Sequence, residues 1–282
     1  MQNADEYRPE AAPPGGRALA LAKRGAEQVL WTRVALQRRL EQRRFPGGSA
    51  GRPKPKPVPP TDVLRSRSEW EAAVEECRRL QLPLHRDRPK NWDALGALAT
   101  VLAHTDTGVE VPAGLAVLDA GSARYSPVLP WLRLAGVGDL VGNNLEFGAD
   151  VRRDGVLFRH GDITATDFPA GRFDAVTCMS VIEHGVPVEP FLAESARILK
   201  PGGVLVLSTD YDSDPPDTSH VLMYGQPVHI FSPAEIGELV RTAAAHGLEL
   251  LGELSLKHGE RPVHWERTGL DYTFIRLSFI RR

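Results

Sequence analysis

The chain has 282 residues, 42% of them apolar and 25% charged, with a formal net charge of −2. That composition is ordinary for a soluble globular protein and fits one large domain, or one domain with an extension. The near-zero charge hides an asymmetry: residues 1–60 carry about +7 and the remainder about −9, which argues against a nucleic-acid groove on the main domain.

No stretch approaches the ~20 apolar residues of a membrane-spanning helix, and the first twenty residues are polar and rich in Pro and Gly, with no leader-like apolar core. The expected location is cytoplasmic. The two cysteines, Cys77 and Cys178, lie far apart in sequence and read as buried free thiols.

In chain order, Ala18 to Phe45 has the composition of a helix. Its residues Val29, Leu36 and Leu40 share one face, with Arg33 and Arg43 close to it. Such mixed faces predict a solvated or loosely docked helix, with contact to a partner or an anionic surface as the alternative use of its positive charge. Residues 46–60 alternate Pro with Lys, Gly and Val, which predicts a semi-stiff extended linker and a domain boundary near residue 60.

Two helices follow, from Ser68 to Leu80 with a Ser68–Glu71 capping box and from Asn91 to His104 with Asn91 as N-cap. Trp92 is expected to pack or to roof a site. Beyond residue 110, strands near 115–120, 138–142, 155–159, 173–178, 203–208, 248–255 and 272–280 alternate with helices near 126–135, 188–199 and 233–246. That alternation predicts an α/β fold with a largely parallel sheet and helices on both faces. Ser232, Pro233 and Glu235 mark the start of the last helix, and Gly247 marks its end.

The chemistry-bearing pieces are the strand-and-turn Leu115–Ser122, which ends in Asp119, Ala120, Gly121 and Ser122, then Gly161–Asp162–Ile163, then Phe173–Met179 running into Ser180–Val181–Ile182–Glu183–His184. Leu199–Lys200–Pro201–Gly202–Gly203 precedes a further apolar run. In this order and spacing they resemble the class I S-adenosylmethionine-dependent methyltransferases, over about residues 110–255.

The resemblance implies a Rossmann-like seven-stranded sheet whose last strand is antiparallel. It implies a methyltransferase domain over residues 61–282, with a helical lead-in at 61–110 and a core at 111–282. It also implies S-adenosyl-L-methionine as cofactor. Asp119, Gly121 and Ser122 would hold the amino-acid end, Asp162 and Ile163 the adenine, and Ser180 and Val181 the flank of the methyl group. Two positions depart from the family pattern: Ala123 stands where a second glycine is common, and Asn144 stands where an acid usually holds the ribose, with Glu146 as a possible substitute.

His184 is the candidate general base, since a histidine with a pKa of ~6.5 suits proton removal from an oxygen acceptor, with cofactor contact or anchoring of the loop as its alternative use. The expected reaction is methyl transfer to a small molecule at oxygen, with a sugar or secondary metabolite as acceptor. A non-catalytic binding or scaffold protein on the same fold is the alternative. A nicotinamide enzyme is disfavoured because no Gly-x-Gly-x-x-Gly follows the first strand. The acidic stretch Asp210, Asp212, Asp214 and Asp217 reads as a polar loop, and with His220, Tyr224, His229 and Phe231 as a lid or acceptor pocket, with no metal expected.

Overall fold

The computed structural model describes residues 16–44, 53–105, 114–223, 226–266 and 268–282. Helix α1 (Gly16–Arg44) comes first, then the two-residue strand β1 (Asp62–Val63), helix α2 (Arg67–Arg79) and helix α3 (Lys90–Thr105). The alternating part holds β2 (Ala116–Ala120), α4 (Val128–Leu134), β3 (Asp139–Asn144), β4 (Val151–Arg153), β5 (Val156–His160) and β6 (Phe173–Met179). After a 3-10 turn at Ile182–His184 come α5 (Val188–Ile198), β7 (Leu199–Tyr211), β8 (Leu222–Met223), β9 (Gln226–Pro227), α6 (Pro233–Ala245), β10 (Leu248–Leu250), β11 (Val263–Trp265) and β12 (Leu270–Arg281).

The main sheet has ten strands in the order β1-β12-β7-β6-β2-β3-β5-β4, with β10 and β11 also paired to β12. Strands β7, β6, β2, β3 and β5 are parallel, and β12 enters antiparallel against β7. The seven expected strands are all present, as β2, β3, β5, β6, β7, β10 and β12. The extra three are short edge pieces, β1, β4 and β11, too brief for a period-2 signal to register. The central strands are buried on both faces, and apolar clusters fill both sides of the sheet.

Several local expectations shift. Ser66, not Ser68, is the N-cap of α2, and Glu69 reaches back to the Arg65 N–H at 2.7 Å. Asn91 lies inside the first turn of α3. Its Oδ1 accepts from His85 N at 2.9 Å and its Nδ2 donates to Arg88 O at 2.9 Å, so it braces the preceding loop instead of capping the helix. The Ser232–Glu235 capping box forms, and Gly247 ends α6 at φ 76°.

Helix α1 is docked, and by the opposite face to the one the apolar spacing suggests. Trp31 and Val34 are buried, whereas Val29, Leu36 and Leu40 stay exposed. The Trp31 ring packs edge-on to Phe158 with centroids 5.6 Å apart, and its Nε1 donates to Arg124 O at 2.8 Å. Arg38 pairs with Asp154 at 2.6 Å. A single tryptophan filling a hole outweighs three smaller apolar side chains, because burial of one large ring removes more area from water.

Phe45, the first half of the expected linker and Tyr224 lie outside the described residues. Residues 53–60 run extended and are fixed at their far end: Arg276 donates to Pro59 O at 2.7 Å and Ser278 Oγ donates to Pro60 O at 2.5 Å. Arg276 itself is buried under Trp92, its guanidinium 4.6 Å from the ring centre, so Trp92 is a packing residue. Both cysteines are free and buried.

Candidate active site

In an open α/β sheet the carboxyl ends of the strands meet at one edge, and ligands bind there. At that edge the chain forms a narrow cleft of about 40 Å³, lined by Asp119, Gly121 and Ser122 on one side, Met179 and Ser180 at the floor, and His85, Lys90 and Asp93 on the other. Ligand pockets usually offer ~300–1,000 Å³, so a nucleoside-sized molecule enters only if the walls part. Val181 lies against the Gly121 turn. A Cβ built on Gly121 would meet its Cγ1 at 2.5 Å, which places the valine directly on the turn. Gly121 is also at φ +74°, so both backbone and space demand glycine there.

Asp119 is only 2% exposed, and its Oδ1 accepts from Thr177 Oγ1 at 2.7 Å. Burial pushes its carboxyl up to about 6, against hydrogen bonds from Thr177 and Ser122 that favour the ionised form. A buried acid in this state gains most from a cation at its side. The ammonium and sulfonium of the implied cofactor supply one, so this wall of the cleft fits that group.

Other expected cofactor residues are arranged differently. Asn144 Nδ2 donates to both Gly121 O and Ser122 O at 3.1 Å, and its Oδ1 accepts from Glu146 N at 2.8 Å. The amide thus braces the turn and has spent both its N–H groups on it. Glu146, two residues on, is exposed. Asp162 is exposed and accepts from Thr164 N and Thr164 Oγ1, each at 2.8 Å, a side-chain turn that fixes the loop under half-buried Ile163.

Ser180 holds φ 53°, a left-handed conformation that costs a non-glycine residue about 1–3 kcal/mol. Its N–H bonds to Ser208 O at 3.0 Å, which turns the chain sharply away from β6 and exposes the loop to the cleft.

His184 sits in the 3-10 turn after Val181. Burial, then the nearby Lys90 charge, brings its pKa down to about 4. The imidazole is therefore neutral at physiological pH but a weak base. This environment holds the imidazole below the near-neutral titration expected of it.

Lys90 and Asp93, passed over in the sequence, join Glu183 and Asp210, which are named there. Lys90 and Asp93 stand one turn apart at the start of α3. Asp93 accepts from Ser208 Oγ at 2.7 Å and lies 3.5 Å from Ser180 Oγ. Asp210 and Glu183 complete a group of buried carboxyls around Lys90. A lysine in the first turn opposes the helix dipole, and that was the available signal. Asp210 ends a buried strand much as Asp119 does, which was the second.

The segment after β7 folds back over this edge: Phe231 N donates to Asp210 O at 3.0 Å and His229 N to Glu183 O at 2.9 Å. Asp212 is paired with Arg261 at 2.6 Å, and among the described residues no group of His, Cys, Asp and Glu is arranged to hold a metal. Nor is any described helix long and apolar enough to cross a membrane.

Residues 118–207 match the methyltransferase domain family. The chain is 36% identical over 134 residues to a ubiquinone biosynthesis O-methyltransferase of Bradyrhizobium sp., covering 45% of this chain and 53% of that protein. It is 30% identical over 118 residues to the sterol 24-C-methyltransferase of Yarrowia lipolytica, covering 37% and 31% respectively. The alignments thus span about half the length of the former and a third of the latter. Among solved structures, geranyl diphosphate C-methyltransferase from Streptomyces coelicolor A3(2) is 20% identical with a TM-score of 0.49, covering 71% of this chain and 84% of that one. The matched span runs from within β2 through most of β7, the strands that build the cleft, and carries a methyltransferase domain.

Proposed function

We propose that the chain transfers the methyl group of S-adenosylmethionine to a hydroxyl of a small-molecule acceptor. The observation that carries this reading is Asp119, a buried carboxyl beside the Gly121 turn, inside the matched domain and at the strand edge where ligands bind. The similarity to an O-methyltransferase supports oxygen as the accepting atom, while the sterol 24-C-methyltransferase matches at lower identity over a smaller share of each chain.

In this reading the cofactor supplies an electrophilic methyl group on a sulfonium. Asp119 takes the ammonium, and the backbone N–H groups and Ser122 hydroxyl of the turn receive the carboxylate. Glu146 is the residue left for the ribose, since the Asn144 amide is committed to the turn. Asp162 and Ile163 serve the adenine, with the second carboxyl oxygen of Asp162 as acceptor. Ser180 and Val181 border the methyl group and swing away from Gly121 as the cofactor enters.

The test is a calorimetric titration with S-adenosylmethionine, S-adenosylhomocysteine and NAD. The first two are expected to bind in the micromolar range, about −8 kcal/mol, and NAD not at all. Absence of heat with either sulfur ligand favours the non-catalytic scaffold.

A further inference from the structure

Lys90 and Asp93, which line the cleft, belong to a group of charges that the cofactor half does not use. Three buried carboxyls, Asp210, Asp93 and Glu183, and the exposed Asp87 act on the Lys90 ammonium, and Lys90 Nζ rests 5.0 Å from the centre of the Phe274 ring. Two of the three acids have their own donors: Asp93 has Ser208 Oγ at 2.7 Å, and Glu183 has Thr209 Oγ1 at 3.2 Å. Asp210 differs. It is 4% exposed, the Tyr272 hydroxyl is directed at it, and its Oδ1 has no hydrogen-bond partner among the described residues. A buried acceptor left open costs about 1–3 kcal/mol and is rare in native proteins, so it calls for a donor from outside the chain.

We propose that Asp210 Oδ1 accepts the proton of the methyl acceptor's hydroxyl, with the Lys90 charge acting on the same carboxyl, and that the acceptor is a phenol or a hydroxyl of similar acidity. This rests on the oxygen-methyltransferase reading above. The O–H bond breaks toward Asp210. An oxygen lone pair forms the new bond to the methyl carbon as the methyl–sulfur bond breaks, and the sulfonium leaves as a neutral thioether. Lys90 steadies the negative charge that develops on the oxygen, in a site where low polarity strengthens that attraction.

The chemical class follows from matching acid to base. Burial lifts the Asp210 carboxyl to about 7, with Lys90 opposing, Tyr272 donating, and Asp93 and Asp87 adding to the rise. Glu183, from the 3-10 turn, faces the same group. A phenol at ~10 lies within reach of such a base, whereas an alkyl alcohol, nearer to bulk water at ~15.7, does not. His184, held at about 4, is the poorer base of the two.

The probe is 7-hydroxycoumarin, whose excitation spectrum separates the neutral phenol from its anion, added at pH 7 to the full chain saturated with S-adenosylhomocysteine. Wild type is expected to bind the probe and shift it toward the anion. In Asp210→Asn the anion-to-neutral ratio of bound probe should fall at least tenfold with S-adenosylhomocysteine affinity unchanged. Asp210→Glu should recover part of the shift, Lys90→Met should lose part of it, and His184→Gln should leave it in place. Bound probe that stays neutral in wild type, equal ionisation in Asp210→Asn, or failure of the probe to bind overturns the assignment. Failure of S-adenosylhomocysteine to bind wild type overturns the methyltransferase reading instead. A melting temperature of Asp210→Asn no lower than that of wild type separates the loss from misfolding.

Discussion

The two walls of the cleft are built on opposite plans. The proposed cofactor wall, Asp119 to Ser122 backed by Asn144, is a backbone turn whose hydrogen bonds are nearly all made within the chain. On the opposite side, half-buried Lys90 and buried Asp93 line the cleft. The buried carboxyls of Glu183 and Asp210, drawn from separate elements, lie around Lys90 with one acceptor left open among the described residues. A rigid turn suits a ligand whose shape never changes, the shared cofactor. A charged group with an open valence suits one particular acceptor and its proton. Substitutions in the first wall should therefore read out mainly in stability and cofactor affinity, and those in the second in the pH dependence of stability and in chemistry.

The largest effect is expected at Gly121. Gly121→Ala forces a Cβ to 2.5 Å from Val181 at a φ of +74°, adding overpacking to backbone strain. Together these should cost about 2–4 kcal/mol in thermal unfolding and abolish measurable cofactor binding. Val181→Ala in the same background should restore the packing share but not the strain. Full recovery would mean that the turn tolerates alanine and that the valine alone enforced glycine.

Asn144 sharpens the contrast. A carboxylate at this position resembles the family's ribose-holding acid and on sequence grounds would tighten binding. The geometry reverses that expectation, because Asn144→Asp turns two donors into acceptors aimed at Gly121 O and Ser122 O. Stability should fall by about 1–3 kcal/mol and cofactor affinity should fall with it. Tighter binding of S-adenosylhomocysteine by Asn144→Asp would show that the turn rearranges and that the residue faces the ribose after all.

This also marks what the sequence makes legible. Strand β2 and its Asp119–Gly121 ending are local signals, an apolar run followed by an acid and a glycine, and so are β6 and the Ser232–Glu235 capping box. The expected seven strands need only such local patterns. The charged wall is legible in no single window. Lys90 and Asp93 belong to α3, Asp210 to β7 and Glu183 to a turn, so only the sheet order brings them together. Helix α1 fails for a related reason: the spacing of Val29, Leu36 and Leu40 shows that a face exists, not which side finds a partner. There Trp31 decides, because Phe158 offers it a place.

A pH series separates the walls without any acceptor. Asp210 has a folded-state pKa raised to about 7, above the ~3.9 of an unfolded aspartate. The folded protein then binds more protons than the unfolded chain between those values, so this contribution to stability is lost as pH rises through about 7. Asp119, raised to about 6, acts in the same direction over a lower window. His184 works oppositely: lowered to about 4 from ~6.5, it costs stability as pH falls through that interval. Asp210→Asn should raise the melting temperature more at pH 8 than at pH 5 while removing proton acceptance. A variant destabilised equally at both pH values would make Asp210 a structural partner of Tyr272 and nothing more.

The smallest expected effect links the extension to the cofactor wall. Trp31 Nε1 donates to Arg124 O at 2.8 Å, and Arg124 lies three residues past Gly121, its guanidinium 4.7 Å from the Phe147 ring centre. Helix α1 therefore holds the far end of the turn from outside the alternating core. Trp31→Phe keeps most of the buried ring and removes only the donor, so unfolding should change by about 0.5–1.5 kcal/mol. Because the lost bond leaves the Arg124 carbonyl to water or to nothing, the loop end loosens, and cofactor affinity should drop two- to tenfold in the same calorimetric titration. Trp31→Ala, which empties the space against Phe158 as well, should cost about 3–5 kcal/mol. If Trp31→Phe binds S-adenosylhomocysteine as tightly as wild type while Trp31→Ala only melts earlier, α1 stabilises the core without bracing the turn, and the extension stands apart from the site.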